Sequence, residues 1–117
     1  MRNERDWVRV QHMLEAIGRI ESLLHDSSLE TFLTDDLRQS AAIRQFEIIG
    51  EAAAVISADT VSAFPAVPWR QLKAFRNLLV HEYFRVDAVE VWTVYAQDLP
   101  DLKASLTIVL TALQASD

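Results

Sequence analysis

From Ala88 to Leu113 the apolar positions step along the chain by four and three without a break: Ala88, Trp92, Tyr95, Leu99, Leu102, Leu106, Val109 and Leu113. A 3.5-residue repeat keeps one seam of a helix facing a neighbour packed nearly parallel to it. Such a helix needs partners, and the rest of the sequence supplies them. Trp7, Val10, Leu14, Ile17, Ile20 and Leu24 recur at the same steps and place a stripe on a first helix of about five turns. Ser27-Ser28-Leu29-Glu30 has the capping-box form, with Glu30 reaching back to the serine, and starts a short helix. Thr34-Asp35-Asp36 offers a cap and two acids suited to a helix dipole, so the next helix runs from about Asp36 to Ile56. Its ridge Leu37, Ala41, Ile48, Ala52, Val55 lies beside a second, Ile43, Phe46, Ile49, Ala53, and an arc that broad predicts packing on two sides. Residues 57–68 hold two prolines and no helical period, and read as a loop. Pro68-Trp69 opens a further helix with Leu72, Phe75, Leu78 and Leu79 on its apolar face. Asp87-Ala88-Val89-Glu90 is a second capping box, heading the last helix, in which Pro100 frees a carbonyl one turn upstream and bends the axis.

These readings give one domain over residues 1–117: an all-α, up-and-down four-helix bundle with a short extra helix. Only 2 glycines and 3 prolines exclude an all-β fold, which needs turn residues at regular intervals. With 50% hydrophobic residues, 117 residues are enough for one core. The lack of cysteine excludes disulfides, thiolate nucleophiles and Cys-ligated metal. The charged start, Met1 to Asp6, has no apolar run behind it, and the longest apolar stretch, Leu106–Leu113, falls far short of the ~18 residues of a spanning helix. The expectation is a soluble cytoplasmic protein that does not engage membranes.

A net charge of −6 opposes non-specific binding of a polyanion, yet the charge is uneven. Between Arg70 and Arg85 stand Arg70, Lys73, Arg76 and Arg85 against Glu82 alone, a net +3 that leaves −9 on the rest. A positive segment on an acidic body fits a local anion site; a solvated helix face gives the same count. Arg44, Glu47 and Glu51 share a helix face, where carboxylate pairs can mark a di-iron bundle. The Glu-x-x-His pairs such a site requires are absent, so no metal or cofactor is expected. An ion-paired surface explains these three residues best, and the sharper reading has them line a cleft between subunits.

The densest chemistry lies in Arg76-Asn77-Leu78-Leu79-Val80-His81-Glu82-Tyr83. A guanidinium suits bidentate phosphate contact, an imidazole gives or takes a proton near neutrality, and a phenol donates a hydrogen bond or stacks on a base. Together they carry what metal-free cleavage of RNA needs. On an unbroken helix, however, Arg76 and His81 point about 140° apart. Convergence then requires the helix to loosen near His81 or two subunits to meet.

The segment Phe75 to Phe84 resembles the Arg-x4-His-x-Tyr signature of the HEPN superfamily, and specifically its HepT-like toxins. Ala42–Ala53, Pro65…Pro68-Trp69-Arg70, Val86-Asp87…Val91-Trp92 and Asp98-Leu99-Pro100 resemble the same family in order. The resemblance implies a helical homodimer whose motifs face each other across a cleft. It implies a metal-independent endoribonuclease toxin of a two-gene toxin–antitoxin module. The antitoxin would be an MntA-like nucleotidyltransferase that transfers AMP to the motif tyrosine. By position, Arg76 would hold the scissile phosphate, His81 would be the acid/base group, Asn77 would support them, and Tyr83 would shape the site and accept AMP. The resemblance assigns no role to Arg44, Glu47 or Glu51. A non-catalytic partner subunit that binds a nucleotidyltransferase or a nucleotide is the alternative, and a purely structural dimerisation bundle ranks last because it needs no polar motif.

Overall fold

The computed structural model describes residues 2–82 and 86–116, with side chains for 5–82 and 86–115. The helices in chain order are α1 (Arg2–Leu24), α2 (Leu29–Phe32), α3 (Asp36–Ala54), α4 (Ala58–Ala63), α5 (Trp69–His81), α6 (Ala88–Thr93) and α7 (Leu99–Ser116). A π-helical turn, Val94–Asp98, joins α6 to α7. Among the described residues there is no strand, and no helix is long and apolar enough to cross a membrane.

The stripes read from the sequence form the core. Val10, Ile17, Ile20 and Leu24 of α1 are fully buried against Leu106 and Val109 of α7 and against Ile49 and Ala53 of α3. Burial of such side chains supplies ~1.5–3 kcal/mol each before entropy is counted. The four long elements pack in an open order: α1 between α3 and α7, with α5 laid on the far side of α3. The body measures 45 × 28 × 19 Å. Because α3 serves both α1 and α5, its broad apolar arc is used on two sides. Its outer ridge is not core throughout, since Leu37 is 85% and Val55 56% exposed at opposite ends of the helix. The inner residues Ala42, Ile43, Phe46, Ile49 and Ala53 carry the packing.

The caps are shifted from expectation in two places. Ser28 is the N-cap of α2, and its box closes with the Thr31 hydroxyl, which accepts from the Ser28 N–H, in place of Glu30. Asp87 caps α6 by accepting from the Val89 N–H, and Glu90 does not complete a box. Asp35 caps α3, accepting from the Arg38 N–H.

Residues 57–68, read as a loop, contain α4. Ser57 caps it, and the buried carboxylate of Asp6 accepts from the Ser57 N–H at 3.1 Å and from the hydroxyls of Ser57 and Thr60. A contact from 51 residues away holds a helix too short to show a period of its own. The Trp69 indole N–H donates to the Phe64 carbonyl at 3.0 Å and fixes the turn into α5.

Pro100 acts through the π turn. Having no N–H, it cannot close on the carbonyl of Ala96, and the chain answers with a longer bond from the Leu99 N–H to the Val94 carbonyl. The extra residue in that turn resets the helical phase, so both Val91 and Leu99 face the core.

Candidate functional site

Arg76 sits where α3 and α5 approach most closely, and Gly50 makes that approach possible. A Cβ built on Gly50 would lie 2.2 Å from Arg76 Cβ, 2.9 Å from Arg76 Cγ and 2.7 Å from the Leu72 carbonyl oxygen. No side chain fits there, so the stem of Arg76 rests directly on the α3 backbone. Phe46 and Phe75 brace the same seam edge to face, with ring centroids 5.5 Å apart.

The Arg76 head group is 31% exposed. Its Nη1 donates to Asn77 Oδ1 at 3.1 Å, and its Nη2 lies 3.8 Å from Glu51 Oε2. Its Nε is buried and has no hydrogen-bond partner. The same Glu51 oxygen lies 3.4 Å from Arg44 Nη1, which also pairs with Glu47 at 3.1 Å. The hydrogen bond that Arg44 donates to the Glu47 carboxylate, followed by the charge of Glu51, raises the pKa of Arg44 above its ordinary value. Arg44, Glu47 and Glu51 therefore form the ion-paired face that the sequence favoured, and that face extends through Glu51 to Arg76. Glu51 thus has a second partner, one that the spacing within α3 did not reveal.

His81 is exposed in the last turn of α5, and the helix stays α-helical up to it. The Arg76 and His81 stems therefore diverge within one chain, and the helix does not loosen between them. Asn77 narrows the gap. It stands four residues before His81, on one stripe of α5, where such positions lie about 5–6 Å apart. By accepting from Arg76, Asn77 draws the guanidinium toward the His81 side of the helix. Arg70 and Lys73 are exposed on the same side, so α5 presents cations and an imidazole together. Tyr83 and Arg85 lie outside the described residues.

Sequence reasoning singled out Arg76, Asn77 and His81 but passed over Gly50 and did not connect Glu51 to Arg76. The signal for Gly50 was present: a glycine inside an apolar helix costs about 1 kcal/mol relative to alanine and marks close backbone contact. Gly18, the other glycine, has nothing within 4 Å of a built Cβ.

Two further features flank the seam. An apolar groove of about 460 Å³ opens between α5 and α7, floored by Phe46, Leu72, Phe75 and Leu99 and edged by Asp98 and Asp101. A more polar groove of about 450 Å³ runs between α1 and α3 and shares Glu51 with the Arg76 cluster. Among the described residues, no three His, Asp or Glu side chains are grouped to hold a metal.

Residues 13–109 match the family model described as "Ribonuclease HepT-like". The chain belongs to the HepT-like ribonuclease family. Two relatives illustrate the spread within it. "Probable ribonuclease HepT" of Thermococcus cleftensis is 38% identical over 87% of this chain and 91% of its own. "Putative RNase MJ1380" of Methanocaldococcus jannaschii is 34% identical over 83% of this chain and 89% of its own. No solved structure matches the chain. The all-helical fold is the one expected of a HepT-like, HEPN-type protein.

Proposed function

We propose that this protein is a metal-independent endoribonuclease toxin, acting at Arg76 and His81 and silenced by a nucleotidyltransferase antitoxin. The observation that carries the reading is the head of Arg76: seated on Gly50, turned by Asn77 toward the His81 stripe, and neutralised by a carboxylate a phosphate can displace. Family membership supports the same reaction class.

In the proposed reaction the RNA phosphate takes the place of Glu51 on the Arg76 guanidinium, and Glu51 keeps its contact with Arg44. A neutral His81 accepts the proton of the neighbouring ribose 2′-hydroxyl. The 2′-oxygen forms a bond to phosphorus as the bond to the 5′-oxygen breaks. Arg76 offsets the charge that builds on the phosphorane oxygens, and a protonated imidazole gives the departing 5′-oxygen its proton. The products are a 2′,3′-cyclic phosphate and a 5′-hydroxyl.

In the proposed homodimer both imidazoles enter one cleft: α5 packs mainly on α3, and its outer stripe is available to a second copy. Two positive segments then meet on an otherwise acidic protein. The proposed antitoxin, an MntA-like enzyme, transfers AMP to Tyr83, adding bulk and a negative phosphate where RNA must bind. The setting proposed for both is the cytoplasm.

Purified, antitoxin-free protein in EDTA, with intact mass excluding prior AMP transfer, tests this against total RNA. Wild type cuts and leaves cyclic phosphate ends, whereas His81→Ala folds and does not cut. Unmodified dimer that leaves every RNA class intact would overturn the proposal in favour of a non-catalytic partner of a nucleotidyltransferase.

A further inference from the structure

We infer that the groove between α1 and α3 is a phosphate-backbone subsite, which holds the stretch of single-stranded RNA adjoining the phosphate on Arg76. The inference rests on the ribonuclease reading and adds the path of the substrate to it.

Arg9, His12 and Arg19 lie on one face of α1, separated by three and seven residues, and all three line the groove. The opposite wall is Ile48, Ala52 and Glu51 of α3. Among the described residues, Arg9 and Arg19 have neither an ion-pair nor a side-chain hydrogen-bond partner, although Glu15 stands on the same wall. Arg38, Arg44 and Arg76, by contrast, each engage a carboxylate. Glu51, the other acid in the groove, is already shared between Arg44 and Arg76. The charge left available is therefore positive, on a chain that carries −6 overall.

Position links the groove to the reaction. Glu51 both lines it and lies 3.8 Å from Arg76 Nη2, so a single side chain stands between the groove and the guanidinium that receives the scissile phosphate. In this reading a strand leaving Arg76 crosses α3 past Glu51 and Arg44 and continues onto Arg9 and Arg19. The walls offer no Phe, Tyr or Trp ring on which a base could stack. Recognition in this groove is therefore chiefly of the backbone, through Arg9, Arg19 and a His12 able to donate to a phosphate or 2′-hydroxyl oxygen.

The test measures binding of a fluorescein-labelled single-stranded RNA of about twelve nucleotides, within the usual reach of such grooves. His81→Ala protein serves as parent, so that the RNA stays intact. Adding Arg9→Ala and Arg19→Ala weakens binding roughly tenfold near 0.1 M salt. It also flattens the plot of log affinity against log salt by about 1.4, the value for two lost phosphate contacts on a single strand. Arg9→Lys with Arg19→Lys restores most of that slope, because a point charge suffices. Thermal melts confirm that each variant is folded. Equal affinity and slope for parent and double alanine variant overturn the inference while leaving the ribonuclease reading intact. So does a double alanine variant that loses only its nucleotidyltransferase partner, which would make the groove a protein contact. A wild type that neither binds nor cuts RNA overturns both.

Discussion

Gly50→Ala separates the seat of Arg76 from the stability of the fold. The new methyl carbon would stand 2.2 Å from Arg76 Cβ and 2.7 Å from the Leu72 carbonyl. Neither neighbour is the tip of a flexible side chain, so α5 must back away from α3, by roughly 1 Å or more to reach ordinary contact. Overpacking of this kind costs about 1–3 kcal/mol. Alanine returns about 1 kcal/mol through helix propensity. The net loss is then about 0–2 kcal/mol, or a fall in Tm of no more than roughly 10 °C for a domain of this size. The effect on cleavage is larger, because displacing a catalytic group by 1 Å can cost ~100-fold in rate. Gly18→Ala is the control: its methyl meets nothing, and it gains up to about 1 kcal/mol with cleavage unchanged. Thermal melts and single-turnover cleavage of a defined RNA measure both quantities. A Gly50→Ala protein that melts no lower than wild type and cuts at the same rate would refute the reasoning about the α3–α5 seam.

Asp6→Ala strips the Ser57 N–H and the buried Thr60 hydroxyl of their shared acceptor. A loss of about 2–4 kcal/mol is expected from the donors left behind. Urea denaturation followed by circular dichroism reads it, and an unchanged midpoint would mean that α4 does not depend on this contact. Glu51→Ala removes a partner of Arg76 and also a negative charge beside the incoming phosphate. RNA affinity therefore rises at low salt while kcat falls several-fold, and Glu51→Gln retains more of kcat. A fall in affinity with kcat preserved would assign Glu51 to substrate binding. Stability changes little in either variant, since Glu51 is 39% exposed and its ion pairs are screened.

The bundle was legible because its information is periodic. The stripes on α1 and α7 and the inner ridge of α3 each repeat over several turns, and a single sequence carries that signal without an alignment. What escaped was set by one residue or by distant contact. Helix α4 has six residues and depends on Asp6, so its own composition, with two prolines close behind, reads as a loop. The box on α2 closes at Thr31 because two adjacent serines each fit a cap, and only the chain path chooses between them. Pro100 announced a break, but the π turn that absorbs it shifts the helical phase, so that before the turn Val91 and not Ala88, Trp92 or Tyr95 is the fully buried residue, which residue spacing alone does not display.

The candidate site divides along the same line. Arg76, Asn77 and His81 are written within six residues, and their chemistry can be read from that segment alone. What holds Arg76 cannot, because it belongs to α3: Gly50 is 26 residues away and Glu51 is 25. A local reading of α5 sees an arginine and a histidine pointing 140° apart and concludes that either the helix loosens near His81 or two subunits meet. The helix does not loosen. Within the chain, Asn77 turns the guanidinium toward His81, and Glu51 holds it from the other side until an anion competes. The same carboxylate that restrains Arg76 also belongs to a residue lining the α1–α3 groove. Glu51 is therefore the residue through which a change in the groove would reach Arg76, and the variants at Arg9 and Arg19 test the groove without altering the seam itself.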